Sequence, residues 1–246
     1  MKLPRKLAWG AVNAVQLVIT LAWSAFWISL ALLIRVVTGS PHLPLRMAGW
    51  CWAPLLIHGA PARLEISGRE NIDPDTAAVY VANHQSMIDV CALFMALPLP
   101  LRFLLKAELG AVPFLGWYAR AMGMILIRRG KAAQARSGLA GATALLADGH
   151  SMAAFPEGTR SRDGSMGRFR RGVFRTAIEA GVPVVPIAID GSGHVMPPGG
   201  FHIRPGTIRV RIGRPIDTRD PENRDCAELA DRTRRIIEGM MSGSPV

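Results

Sequence analysis

Acidic residues are scarce in this chain: 18 Asp and Glu stand against 29 Lys and Arg, giving a formal net charge of +11 and a pI near 10.9. Such an excess must face an anionic partner, either nucleic acid, anionic lipid or an acidic substrate. Cysteine is scarcer still. The three cysteines, Cys51, Cys91 and Cys226, are odd in number and far apart, with no CxxC pair. That pattern argues against a disulfide framework and a zinc ribbon, and suits a reducing compartment. No G-x-S-x-G elbow, internal repeat or low-complexity segment is present. None of His42, His58, His150, His194 and His202 falls in a metal-ligand spacing with Cys or carboxylates.

Charge is missing altogether from Leu7 to Ile34, a run of 28 residues. As a helix this run is roughly 42 Å long, more than the roughly 30 Å of bilayer hydrocarbon. It is too long for a signal-peptide core and has no small-x-small cleavage site after it, so the expectation is a retained membrane element. Asn13, Gln16, Thr20 and Ser24 recur at spacings that place them on one helical face, which must meet protein or a headgroup layer. Trp9, Trp23, Trp27, Trp50 and Trp52 cluster in or near the region, as residues of membrane interfaces do. A second apolar stretch, Leu43 to Ala60, contains Arg46 and two prolines and suits a partner helix or an interfacial segment. Lys2, Arg5 and Lys6 favour a cytoplasmic N-terminus, and a single span would then place everything beyond residue 60 outside. A domain with unpaired cysteines belongs inside. The expectation is therefore a hairpin or a helix lying in one leaflet of the inner (cytoplasmic) membrane, with the remaining chain facing the cytoplasm. The same apolar segment argues against nucleic acid as the partner of the basic charge.

Beyond residue 60, short β-like runs (RLEI, AAVYVA, LRFLL, MILI, MAAF, VPVVPIAI, TIRVRIG) alternate with helical stretches near 87–97, 113–122, 131–147, 171–180 and 226–240. This alternation predicts an α/β fold with a mixed, largely parallel sheet flanked by helices. The expected division is a membrane-associated helical region over 1–60 and an α/β domain over 61–246, its tail frayed from Ser242.

Ligand sites of such sheets lie beyond the carboxyl ends of strands, and the stretch VANHQSMIDV (Val81 to Val90) falls at such a place. Residues five apart differ by about 140° on a helix. His84 and Asp89 can therefore meet only if His84 lies in the turn and folds back over the first helical turn. The carboxylate then accepts a proton from one imidazole nitrogen while the other serves as base. On spacing alone, a turn histidine beside a helix-start aspartate remains an equal reading. Ser86 lacks the surroundings of a nucleophile, and Cys91 falls on the buried side of the helical pattern.

A second stretch, FPEGTRS (Phe155 to Ser161), follows a strand and sets Glu157 and Arg160 on a glycine-containing turn. Together with His84 to Asp89 it resembles the glycerolipid acyltransferases, specifically the 1-acyl-sn-glycerol-3-phosphate (lysophosphatidate) acyltransferases. MGMILIRR (Met122 to Arg129), VPVVPIAI (Val182 to Ile189) and KAELGAVPFLGW (Lys106 to Trp117) are similar to further blocks of that family. The resemblance implies His84 as general base and Asp89 as its orienting carboxylate. It also implies that Glu157, Gly158, Thr159 and Arg160 form the glycerol-phosphate site, with Arg128 and, more weakly, Lys106 as further phosphate contacts. It implies lysophosphatidate as acceptor and acyl-coenzyme A or acyl carrier protein as donor, membrane lipid as surroundings, and neither cofactor nor metal. Related acyltransferases share these motifs, so glycerol 3-phosphate, lyso-ornithine lipid or another lysophospholipid stays open as acceptor. The competing class is a non-catalytic protein that binds anionic membrane. The arginines from Arg160 to Arg175, with Asp163 as their one acid, are either a solvated face or a contact for membrane or carrier.

Overall fold

The computed structural model describes residues 3–128 and 132–243. The chain begins with α1 (Leu3–Thr38) and returns through α2 (His42–Met47), a π-helical turn (Ala48–Trp52) and α3 (Ala53–Gly59). The α/β part follows as β1 (Ala62–Ser67), β2 (Val79–Ala82), α4 (Ile88–Ala96), β3 (Arg102–Lys106), α5 (Leu115–Ala121), β4 (Ile125–Ile127) and α6 (Ala132–Ala147). It continues with β5 (Met152–Ala154), α7 (Gly172–Ala180), β6 (Val184–Asp190), the short α8 (Ser192–Val195), β7 (Gly206–Ile212) and α9 (Cys226–Met241). The strands form one sheet in the order β1-β7-β6-β2-β5-β3-β4. All neighbours pair in parallel except β6 and β7, as a mixed, largely parallel sheet requires. Lys131 and Arg129, ends of two stretches singled out in the sequence, lie outside the described residues, as does Lys2.

Burial explains the strand sequences. β2 and β5 are buried at every position and β6 at all but its last, so they read as unbroken apolar runs. β1, at the sheet edge, alternates between buried or half-buried and exposed positions. One apolar core joins the hairpin and α4 to the sheet; a second packs α6, α7 and α9 on the other face.

The N-terminal region is a helical hairpin. Trp23 Nε1 donates to the Trp52 carbonyl at 3.2 Å, and Trp52 Nε1 donates to Ser24 Oγ at 3.0 Å. Farther along, Asn13 Oδ1 accepts from the Ile203 amide at 2.7 Å. The polar stripe therefore faces protein, while Val18, Leu21 and Val36 are 66%, 62% and 81% exposed. The helix is inside out by the standards of a water-soluble fold, and its free face is suited to lipid. α1 is long and apolar enough to cross a membrane, and only 6% of its most apolar window is buried.

One loop between β3 and α5 is strained. Phe114 has φ 61° and ψ −59°, and the Leu115 amide donates back to the Pro113 carbonyl at 2.7 Å. This is the left-handed form of γ-turn, which costs about 1–3 kcal/mol for a non-glycine residue. Gly116 closes the loop: its amide donates to the Val112 carbonyl at 2.7 Å, and a Cβ there would sit 2.1 Å from the Gly110 carbonyl oxygen.

Candidate active site

Two turns at the carboxyl ends of neighbouring strands build the site. β2 ends in Asn83, whose side-chain amide exchanges two hydrogen bonds with the backbone of Ile189 on β6, at 2.8 and 2.7 Å. This cross-link fixes where the chain leaves the sheet, and His84 comes next. The helix then starts, and Asp89, fully buried in its first turn, points back at the turn. Its Oδ2 accepts from the amides of Gln85 and Ser86, each at 2.8 Å, and lies 2.8 Å from His84 Nδ1. An ionised carboxylate only accepts, so Nδ1 carries the imidazole proton and Nε2 keeps its lone pair. The His84 side chain is 15% exposed and borders a cleft of about 510 Å³. The spacing of five residues is thus closed in the way the turn geometry required.

The second turn follows β5. The Gly158 amide donates to the Phe155 carbonyl at 3.0 Å, with Pro156 at the second position of the turn. Gly158 has φ 74°, a conformation that favours glycine. The Phe155 ring stacks on the His84 imidazole, centroids 4.0 Å apart and planes 17° from parallel, so the ring plane of His84 is set from both sides.

Glu157 differs from the expectation of a phosphate-binding group. It is 8% exposed, and Oε1 accepts from the His84 amide at 2.8 Å while Oε2 accepts from the Gly167 amide at 2.9 Å. Both oxygens are turned to backbone, and a second anion beside a phosphate would repel it. Burial raises the Glu157 carboxyl above its ordinary value, opposed by those two amides and by the neighbouring imidazole. Its place is that of a clamp between the two turns, reinforced where the Ser161 amide donates to the His84 carbonyl at 2.8 Å.

Gly158, Thr159 and Arg160 border the cleft, and Lys106 borders it from the end of β3. Lys106 is exposed, with Glu108 only loosely opposite at 3.9 Å. Arg128 is exposed directly after β4, whose last residue, Ile127, lines the cleft. Arg170, legible in the sequence only as one of a run of arginines, also lines it. The stacking of Phe155 and the Asn83 cross-link were not legible either, because both depend on which strands become neighbours.

Ser86 is fully buried, donates from Oγ to the Met196 carbonyl at 2.6 Å and accepts from the Ile88 amide at 3.3 Å, an arrangement with no room for a nucleophile. Among the described residues no group of three His, Cys, Asp or Glu side chains could hold a metal ion. The arrangement is therefore an oriented base at one wall of a cleft whose other walls carry cations.

The family model described as Acyltransferase matches residues 63–190, the part that contains both turns. A 1-acyl-sn-glycerol-3-phosphate acyltransferase of Chlamydomonas reinhardtii is 34% identical over 91% of this chain and 68% of its own length. Another, from Pseudomonas aeruginosa, is 35% identical over 96% of this chain and 93% of its own. The chain belongs to the acyltransferase family, among the 1-acyl-sn-glycerol-3-phosphate acyltransferases. It spans 57% and 46% of the lengths of two chloroplastic plant relatives. The crystal structure of the 1-acyl-sn-glycerophosphate (LPA) acyltransferase of Thermotoga maritima has the same fold, with a TM-score of 0.82 at 24% identity over 97% of this chain and 98% of that one.

In this acyltransferase Cys91 lies on α4 two residues beyond Asp89, and burial, with the Asp89 charge second, pushes its thiol up to about 12. Its thiolate is thus absent near neutrality. Alkylation of the native chain at pH 8 should modify the half-buried Cys51 and Cys226 and spare Cys91 until denaturant is added. Peptide mapping by mass spectrometry checks this; rapid native modification of Cys91 would show that the first turn of α4 opens.

Proposed function

We propose that the chain transfers an acyl group from an acyl thioester, acyl-coenzyme A or acyl carrier protein, to the sn-2 hydroxyl of lysophosphatidate, giving phosphatidate. The observation that carries this reading is the His84 Nδ1 to Asp89 Oδ2 contact of 2.8 Å, which leaves Nε2 as the base at a cation-lined cleft. In the reaction Nε2 takes the hydroxyl proton as the oxygen attacks the thioester carbonyl. The tetrahedral intermediate then collapses, the carbon–sulfur bond breaks, and the departing thiolate takes the proton from the imidazolium. Asp89 holds the tautomer and stabilises the transient positive charge. A thioester is already activated, so the scheme calls for no acyl-enzyme, metal or cofactor.

Arg160 supplies a planar fork of donors for the glycerol phosphate, on a turn shaped by Gly158 and Thr159, with Lys106, Arg128 and Arg170 adding positive charge around it. Glu157 acts as a positioning residue. An almost wholly apolar cavity shares Val90 and Leu105 with the cleft and lies between it and the hairpin, and we assign it to the acyl chain. Residues 1–60 form the membrane-associated region and 61–246 the acyltransferase domain, on the cytoplasmic face of the inner membrane. The free cysteines and the basic N-terminus support that orientation. Asp163 supports a role for the neighbouring arginines. Its carboxylate accepts from Ser165 Oγ at 2.6 Å and from Ser161 Oγ at 3.2 Å. Among the described residues Arg160, Arg162, Arg168 and Arg170 form no ion pair, and their charge is free for anionic lipid or an acidic donor.

The test is transfer of a labelled acyl group to lysophosphatidate by the full chain in vesicles, offered each donor in turn. Labelled phosphatidate is the expected product. Product with glycerol 3-phosphate or another lysolipid but none with lysophosphatidate would replace the acceptor. No transfer to any of them would favour a purely membrane-binding protein.

A further inference from the structure

The strained loop after β3 exposes what a water-soluble domain would hide. Val112, Phe114 and Trp117 are 44%, 39% and 51% exposed, and the Phe114 and Trp117 rings lie together with centroids 5.2 Å apart. From Leu109 to Tyr118 there is no charged residue. Cations stand at both ends: Lys106 at the cleft, and Arg120, whose Nη1 donates to the Gly110 carbonyl at 2.8 Å. We propose that this loop is a second lipid contact, an aromatic wedge that enters the headgroup layer beside the mouth of the cleft, separate from the anchor in α1.

Continuity with the membrane-facing helix carries the argument. α5 packs along the later part of α1, where Arg35 Nε donates to the Ala121 carbonyl at 3.3 Å. Leu115, Tyr118 and Ala119 share a cavity wall with Trp27, Ile28 and Ala31. The helix that the loop leads into therefore packs on the same stretch of α1 that leaves Phe26 and Leu33 exposed by 56% and 59%. Its other side reaches the cleft, which Lys106 and Leu109 line. Aromatic residues flanked by cations are what a lipid–water interface selects, because rings suit the headgroup level and ammonium or guanidinium groups pair with phosphates. The backbone agrees. Glycine would occupy position 114 without strain, and what the phenylalanine adds there at the cost of strain is an exposed ring. A wedge at this place holds the cleft mouth at the depth where a lysolipid presents its glycerol hydroxyl.

The test uses the full chain in vesicles of phosphatidylethanolamine and phosphatidylglycerol containing phosphatidylcholine brominated at a shallow acyl position. The chain has six tryptophans, and the difference between wild type and Trp117→Phe isolates the emission of Trp117. That component should lose most of its intensity to shallow bromine. Phe114→Gly should keep or raise the thermal unfolding midpoint, because it suits the left-handed backbone, and should weaken the quenching of Trp117. Both readouts are independent of the acyltransferase reading. A Trp117 component untouched by bromine would overturn the proposal, as would quenching unchanged by Phe114→Gly. So would concentration-dependent dimerisation that the two substitutions abolish, since a second copy would then cover the rings.

Discussion

A His84→Ala chain is expected to transfer acyl groups to lysophosphatidate about 10²- to 10⁴-fold more slowly than the parent, the usual contribution of a positioned general base. On the proposed mechanism the loss falls on kcat, because the imidazole there takes the proton of the reacting hydroxyl and does not hold the phosphate. Asp89→Asn is the sharper probe. An asparagine oxygen still accepts from the Gln85 and Ser86 amides, so the first turn of α4 survives. What disappears is the negative charge beside Nδ1, which stabilises the imidazolium, while the same oxygen still accepts from Nδ1–H. Its kcat should fall nearly as far as that of His84→Ala, and the double variant should be scarcely worse than either single one, because the two side chains act as a unit. Additive losses would mean that Asp89 serves only the fold.

Glu157 should give the second large effect, and of a different kind. Glu157→Ala leaves the amides of His84 and Gly167 without their acceptor, at about 1–3 kcal/mol for each buried donor left unsatisfied. Glu157→Gln retains one acceptor and sets an amide N–H against the other donor, so a loss of about half that size is expected from the same cause. Thermal unfolding measures both. Activity should fall through kcat, since His84 loses its second point of attachment, and KM for the acceptor should hold. A selective rise in KM would return Glu157 to the phosphate site. The pH dependence separates the two further. Because burial raises the folded-state value above the ordinary 4.5, the group's contribution to stability is fully present below 4.5 and is lost as pH rises through the raised value. Wild type should therefore lose stability relative to Glu157→Gln as pH climbs through that window, and the difference should level off above it.

The sequence revealed the site unevenly, and the reasons are physical. The His84–Asp89 contact was half legible: it is local, and a turn and one helical turn suffice to bring the two together, but spacing left a turn histidine an equal reading and only the family resemblance favoured the dyad. The central strands were legible because burial on both faces leaves unbroken apolar runs. The turn that carries Arg160, Gly158 and Thr159 was legible beyond a strand, and their assignment to the site came from the family resemblance. Glu157 was placed in the right turn, but its partners were not foreseen, since they are amides 73 and 10 residues away in the chain. No pattern of side chains encodes a backbone donor. Arg170 and the ring of Phe155 entered the site through the pairing of β2 with β5, a long-range register that spacing does not carry. The hairpin was half legible. The polar stripe announced a side that meets protein or a headgroup layer, and only the fold shows that Trp52 and Ile203 are its partners.

The separation of these contacts along the chain bears on the order in which a nascent molecule becomes competent. α1 is synthesised before the elements of the sheet. The dyad can form as soon as the first turn of α4 is free. The carboxylate that ties down the His84 amide arrives later and needs Gly167 to complete its own bonds, and the amide that engages Asn13 belongs to Ile203. A fully braced site thus needs a chain extended through Gly167 and Ile203, and a translation product stalled before Gly167 would have its histidine in place and no means to hold it still.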